Sequence, residues 1–485
     1  MRRFRRTTLI TVGCSATLAG LGLSRKLQIT PQIWWLAFAP LVILFKSKNI
    51  SSLILVCLLG LGLGLWRGGV YMQKLHLLQD LSMQSVTIQA TATSDSIYGN
   101  RSQIQFTGGN IKLLAPYKTP LAGSFKLSGF GERMIYRGDT VQVTGSLFPS
   151  RGANQATIAY AKLVRLSVGR NIINDIGRRF SAGMQNALPE PVASFAMGLL
   201  VGQRTTMPQD VILALTMVGL VHIVAVSGYN LTILVRAVAR LRSTSKYQQL
   251  MLSLSLIVGF ILITGFSASI VRAALVSVLT LWAWFYGRQI KALVLISFTA
   301  ALTGLFSPFY VWGDLGWYLS FLAFFGVLVI APIITQRLFS KPPKLLTMVL
   351  IETLSAELMT LPLIMMTFSQ LSLIALLANL LIVPLVPVAM LLSAIAAGAG
   401  VLVAPVAGWF ALPARLLLTY MLDVVHILAN VPSEFLHLSI SPLVMIASYL
   451  LVLVVVLAAY RNIKLKNAII TDKKSTKLEV QNVRP

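Results

Sequence analysis

Long apolar runs recur along most of the chain, and one polar stretch interrupts them. Three runs come first, at roughly 7–24, 32–46 and 50–71. Each is near the length that a helix needs to cross a bilayer, about 20 residues. Residues 73–167 then change period. Val86, Ile88 and Ala90 alternate with Gln and Thr, and so do Ile104 with Phe106, Phe125 with Leu127, and Val141 with Val143. Turn signals separate these pairs at Tyr98-Gly99-Asn100, Gly108-Gly109-Asn110 and Arg137-Gly138-Asp139. Alternation at period two with such punctuation predicts five or six short strands in a small barrel or sandwich.

Residues 168–188 read as an amphipathic helix, with Arg170, Arg178 and Arg179 among apolar positions, a pattern suited to the membrane interface. From there the chain is almost continuously apolar. It divides into nine predicted spans, near 217–236, 248–266, 269–287, 290–307, 317–336, 345–367, 373–397, 406–428 and 441–460. Pro384 and Pro387 predict a kink or a break in the seventh of these. The expected fold is therefore a polytopic α-helical membrane protein of about 12 spans with an inserted small β-barrel domain. Its segments are N-terminal spans (1–72), β-domain (73–167), interfacial helix (168–191), helical core (192–460) and basic tail (461–485).

Composition agrees with the runs and adds a partner. Only 11% of residues are charged, against about 25% in soluble proteins. Lys and Arg outnumber Asp and Glu by 41 to 14, a bias that suits a polyanion such as nucleic acid or anionic lipid. Basic cytoplasmic loops account for part of it. The basic N-terminus, Arg236/Arg240/Arg242/Lys246, Arg288 with Lys291, Arg337 with Lys341 and Lys344, and the tail all fall on one side of a twelve-span chain. Both termini are then cytoplasmic and the β-domain lies outside, with Arg415 the loosest fit. The start, Arg2-Arg3-Phe4-Arg5-Arg6 before an apolar run, resembles a signal peptide, but no small-x-small site follows, so it reads as an uncleaved first span. The four histidines are scattered, and no His/Asp cluster has metal-ligand spacing, so neither a metal nor another cofactor is expected.

Polar groups at membrane depth mark candidate chemistry. Arg272 lies in GFSASIVRAALVSVL near the outer end of its span. It could snorkel to headgroups or hold phosphate oxygens at a pore mouth, which the permanently charged guanidinium fork suits. His222, Ser227 and Asn230 lie in GLVHIVAVSGYNLTIL, where Ser227-Gly228 offers a point for the helix to break. They could line a cavity or bond neighbouring helices. Glu352 and Glu357 could pair with Arg272, mark a proton path or form a structural ion pair. Asp423 and His426 could interact across one turn. The segment 73–190 carries 13 Lys and Arg against 6 Asp and Glu, which suits binding of single strands by charge and stacking. Arg101, Lys112, Lys126, Arg133, Arg137 and Tyr136 are the candidates there. Phe106 and Phe125 sit on the alternating apolar face and read as core.

Several stretches together resemble the ComEC-type competence proteins, the inner-membrane DNA internalisation channels of natural transformation. They are GLLVGQRTTMPQDV, GLVHIVAVSGYNLTIL, SIVRAAL, WYLSFLAFFGVL and SAELMTLPLIMMTFSQLSLIALLANLLIVPL, in that order. The resemblance implies an OB-like extracytoplasmic domain at 73–167 and a path for single-stranded DNA through the helical core. Arg272, His222, Ser227, Gly228, Asn230, Arg204 and Glu357 are then the residues of that path. Two positions depart from the family pattern: Asn230 stands where His is common, and Gln203 where an acid is common. The family's His-x-His-x-Asp-His metal motif is absent from this sequence. The resemblance thus implies a transport channel rather than an enzyme, with a separate nuclease, a DNA receptor and a cytoplasmic helicase or ATPase motor as partners. The resemblance leaves two expectations for the path, one within a single chain and one at a homodimer interface. The competing expectation is a membrane transporter or a protein that processes lipid or envelope polymer.

Overall fold

The computed structural model describes residues 4–27, 49–98, 103–121, 123–132, 134–149, 154–169, 172–203, 206–224, 231, 235, 245–264, 268–288, 290–339, 341, 343–368, 373–431, 440–459 and 461. The chain divides into two compact units, Met1–Tyr318 with Ile374–Pro432 and Leu319–Leu373 with Ser433–Pro485.

The first unit begins with α1 (Arg6–Leu27) and α2 (Ile50–Asp80), a parallel pair. Gly13 of α1 faces Val56 of α2, and Ser24 faces Gly68 farther along both helices. The absence of side chains sets their closeness. A Cβ on Gly64 would lie 2.2 Å from the Thr17 carbonyl oxygen, and one on Gly20 2.3 Å from that of Leu61. Small residues at such contacts let helix backbones approach where lipid supplies no hydrophobic drive. α2 runs on to Asp80, past residue 73, where the β-domain was expected to start. Packing explains the extension: Leu78 and Leu81 belong to the core of the β-domain, and Leu75 lies against it.

The β-domain holds β1 (Ser85–Ala92), β2 (Ile97–Tyr98), β3 (Ile104–Ala115), β4 (Thr119–Leu121), β5 (Phe125–Phe130), β6 (Thr140–Pro149) and β7 (Ala156–Ser167). The strand path is β1-β6-β7-β5-β3-β2, with β4 on β3 and a further pairing of β1 with β3. The strands β1, β3, β5, β6 and β7 therefore each have at least two neighbours. The pairing of β5 with β7 is parallel and the others are antiparallel. Alternation along β1 buries Val86, Ile88, Ala90 and Ala92 and leaves Ser85 exposed, because successive side chains point to opposite faces.

Next come α3 (Ile172–Ala187), α4 (Val192–Val201) and α5 (Gln209–Met217). The predicted amphipathic helix, α3, lays Gly183, Met184 and Ala187 inward, and Gly183 meets Gly400 backbone to backbone. The predicted span 217–236 does not begin as a helix. α5 stops at Met217, Gly219 takes a φ of 75°, and a 3-10 turn follows at Val221–Ile223. A left-handed residue at this point ends the helix and redirects the chain. α6 (Lys246–Thr264) and α7 (Ala268–Phe285) share a small core with Leu231. α8 (Ala292–Phe306) leads through the short α9 (Pro308–Gly313) into α10 (Leu315–Phe325).

In the second unit the chain of α10 continues through a π turn (Gly326–Ile330) into α11 (Ala331–Leu338), followed by α12 (Leu345–Phe368). α13 (Leu373–Ile382), α14 (Val386–Leu402) and α15 (Ala407–Ala429) then complete the apolar core of the first unit with α3, α4 and α5. The prolines at 384 and 387 sit where a 3-10 turn, Val383–Leu385, separates α13 from α14. α16 (Pro442–Ala459) belongs to the second unit, where the Tyr449 hydroxyl donates to the Met359 carbonyl at 3.1 Å.

Among the described residues, eight helices are long and apolar enough to cross a membrane, and three shorter apolar helices accompany them. The chain is a multi-pass membrane protein. Two of the twelve expected spans, 248–266 and 290–307, fall among the shorter helices as α6 and α8. The expected span 32–46 lies outside the described residues.

Candidate functional site

Three arginines from three helices converge on the turn between α8 and α10. The last carbonyls of a helix have no partner inside it, and here α8 ends at Phe306 just before Pro308. Arg67 of α2 donates from Nε to Leu305 O at 2.7 Å and from Nη2 to Phe306 O at 3.1 Å. Arg25 of α1 donates to Trp312 O at 2.8 Å, and the Trp312 indole returns a bond to Leu21 O at 2.7 Å. Arg272 of α7 donates from Nη2 to Gly316 O at 3.0 Å. Asp314 caps α10, its Oδ1 accepting from Gly316 N at 2.9 Å and Trp317 N at 3.3 Å.

Arg272 differs from the other two. Only 3% of it is exposed, and its Nε and Nη1 are buried with no hydrogen-bond partner. A buried, unsatisfied donor costs about 1–3 kcal/mol, more when it is charged. The acid that acts on it electrostatically is Asp314, itself buried. The sequence reading passed over Asp314 and looked to Glu352 and Glu357. Those two lie on α12 in the second unit, Glu352 buried and Glu357 half-buried, with the Glu357 carbonyl accepting from Thr360 Oγ1.

The same turn touches the approach to the β-domain. Tyr71 of α2 packs edge-on against Trp312, ring centroids 5.7 Å apart, and its hydroxyl accepts from Gln155 Nε2 at 2.9 Å. Gln155 stands just before β7 and braces Ser124 ahead of β5. Arg137 is half-buried: its backbone N–H donates to Asp95 and its Nη2 to Leu262 O, at the end of α6, at 3.3 Å. Burial lowers its pKa and Asp95 opposes that. Arg137 thus anchors the domain to α6 and is not a freely displayed cation. Lys112 and Lys126 are exposed on β3 and β5, and Tyr136 is exposed ahead of Asp139.

Among the other predicted path residues, His222 is exposed in the 3-10 turn and its Nδ1 lies 3.0 Å from Gly219 O. That contact stays within its own turn. The predicted partnership of Asp423 and His426 is not formed, since His426 Nδ1 instead lies 2.9 Å from Leu422 O. Arg204, Ser227, Gly228, Asn230, Arg101 and Arg133 lie outside the described residues. Sequence reasoning missed Arg25 and Arg67. An arginine inside the apolar run GLGLGLWRGGVYM was a signal for Arg67, since charge at that depth needs a partner. Among the described residues no group of three or more His, Cys, Asp or Glu could hold a metal ion.

Comparison with known proteins supplies the remaining context. The family profile described as "Competence protein" matches residues 199–462. ComE operon protein 3 of Bacillus subtilis (strain 168) is 23% identical over 384 residues, covering 73% of this chain and 47% of that protein. The chain thus spans about half the length of this curated relative. No solved structure matches.

Proposed function

The chain belongs to the competence protein family, and from that premise we propose that it conducts a single strand of DNA across the inner membrane during natural transformation. The observation that carries the reading is Arg272, a buried guanidinium with two nitrogens, Nε and Nη1, unpartnered beside a turn that contacts the β-domain approach. Phosphates crossing a narrow path lose water, and fixed donors must replace it. Free guanidinium donors suit phosphate oxygens, and the charge does not depend on pH.

The β-domain fits an OB-like barrel in this account. Its pairings run β1-β6-β7-β5-β3 and return to β1, with one parallel pair, β5 and β7. Five strands in such a circuit suit the small Greek-key barrels that bind oligonucleotides. The parallel packing of α1 and α2 puts their N-termini on one side, as the proposed twelve-span arrangement requires. Placing the basic loops inside then puts both termini in the cytoplasm and the β-domain outside. A separate nuclease and receptor would present the strand, and a cytoplasmic helicase or ATPase would draw it in.

The test is uptake of fluorescent DNA into cells lacking this protein, scored separately outside and inside the inner membrane. The proposal expects DNA to accumulate outside, with the wild-type gene restoring import. Unchanged import in a transformable host would overturn it and favour a role in handling lipid or envelope polymer.

A further inference from the structure

The outward faces of the β-domain strands differ in chemistry. On β1 and β6 they carry Thr87, Gln89, Gln142 and Thr144, and the hydroxyls of Thr87 and Thr144 lie 3.2 Å apart. On β5 and β7 they carry Lys126, Phe130, Tyr160 and Lys162, all exposed. The parallel register sets Phe130 beside Lys162 and Lys126 beside Thr157. Phe130 is 46% exposed and Tyr160 66%. Neither lysine has a carboxylate partner among the described residues.

Tyr160 adds a second, independent observation. The register steps from Leu127↔Ile158 to Gly129↔Ala161, so β7 sets Ala159 and Tyr160 against Ser128 alone. Tyr160 sits in that bulge with a φ of 54°. Residues with a Cβ take this conformation at an energetic cost, and bulges re-aim side chains. Here the bulge turns a large ring outward, where it contributes nothing to the domain core. Folding does not repay the strain or the exposed ring.

We propose that Phe130 and Tyr160, flanked by Lys126 and Lys162, form a platform on which single-stranded DNA stacks. The occupant follows from charge and shape: two unpaired cations suit a polyanion, and two displayed aromatic faces suit bases that are not already stacked in a duplex. The platform rests on the function proposed above and locates the β-domain contact away from Tyr136 and Arg137.

The test uses the full chain in nanodiscs of zwitterionic lipid and a fluorescein-labelled oligothymidylate of about 16 nucleotides, a length within the reach of such domains. Phe130→Ala and Tyr160→Ala should each weaken binding about tenfold, as loss of one stacked base does. Tyr160→Gly should weaken it equally while thermal unfolding is unchanged or moves up, because glycine accepts the positive φ. That variant separates a lost platform from a damaged fold. Tyr160→Trp should retain binding, and its emission should be quenched by the oligonucleotide. If the wild-type chain binds the oligonucleotide and all three truncations bind as tightly, the platform is overturned while the channel reading stands. If the wild-type chain does not bind it at all, the role of the β-domain in that reading fails as well. A tryptophan signal that follows added anionic lipid and ignores the oligonucleotide would make this face a membrane contact and overturn the proposal.

Discussion

Arg272 of the helical region and the lysines on the β-domain sheet differ in burial, and their chemistry differs accordingly. Arg272 is buried, holds one backbone carbonyl, and keeps two nitrogens, Nε and Nη1, without a hydrogen-bond partner. Lys126 and Lys162 stand in water on an open sheet face. Exposed charges act over a Debye length, about 8 Å at physiological salt, and are screened beyond it. A buried charge is screened far less and is costly to leave unpaired. Under the proposed function, the two regions suit successive tasks: weak, salt-sensitive capture on the sheet, and tight replacement of phosphate hydration at the turn.

The largest effect should come from Arg272→Ala. DNA import should fall by about a hundredfold or more, the scale of losing a desolvated charge-assisted contact, with membrane protein levels unchanged. Arg272→Lys should rescue only partly, because an ammonium cannot hold Gly316 and present a second fork at once. Normal import in the alanine variant would remove the contrast between the two regions.

Arg67→Ala should act on the fold instead. It strips the Leu305 and Phe306 carbonyls of their donor, with Phe306 itself largely exposed and so partly rescued by solvent. A loss of about 1–2 kcal/mol is expected, read as a lower unfolding temperature in detergent. Gly64→Leu should cost about 1–3 kcal/mol by overpacking the α1–α2 contact, again a stability effect. Oligonucleotide affinity per folded molecule should stay at the wild-type value in both variants. An affinity loss there would mean the two regions are not separable.

The smallest effect belongs to single lysines. Lys162→Gln should weaken oligonucleotide binding modestly and flatten its dependence on log salt by about 0.7. An unchanged slope would exclude Lys162 from phosphate contact.

These outcomes also separate what the sequence made visible from what it did not. Period-two alternation reports side-chain direction directly, so Val86, Ile88, Phe106, Phe125, Val141 and Val143 were identifiable as inward, and they are buried. Apolar runs likewise report helices, because length and hydropathy are local properties. Contacts to backbone carbonyls leave no such trace. Leu305, Phe306, Trp312 and Gly316 are chosen as acceptors by the path of the chain, so the convergence of Arg25, Arg67 and Arg272 was invisible. Nothing local in the sequence marks Asp314 as a cap beside Arg272, because both roles depend on the path of the chain. The helix end at Gly219 escaped a hydropathy reading because the residues on both sides are apolar. Tyr160 was hidden for a related reason: a bulge shifts the alternation by one, and only pairing register reveals it.

The most direct test of the central claim is import of a labelled single strand past the inner membrane in cells carrying wild-type protein or Arg272→Ala at matched levels. The account predicts that both bind DNA outside and that only the wild type delivers it to the cytoplasm. Equal delivery by the two would contradict it.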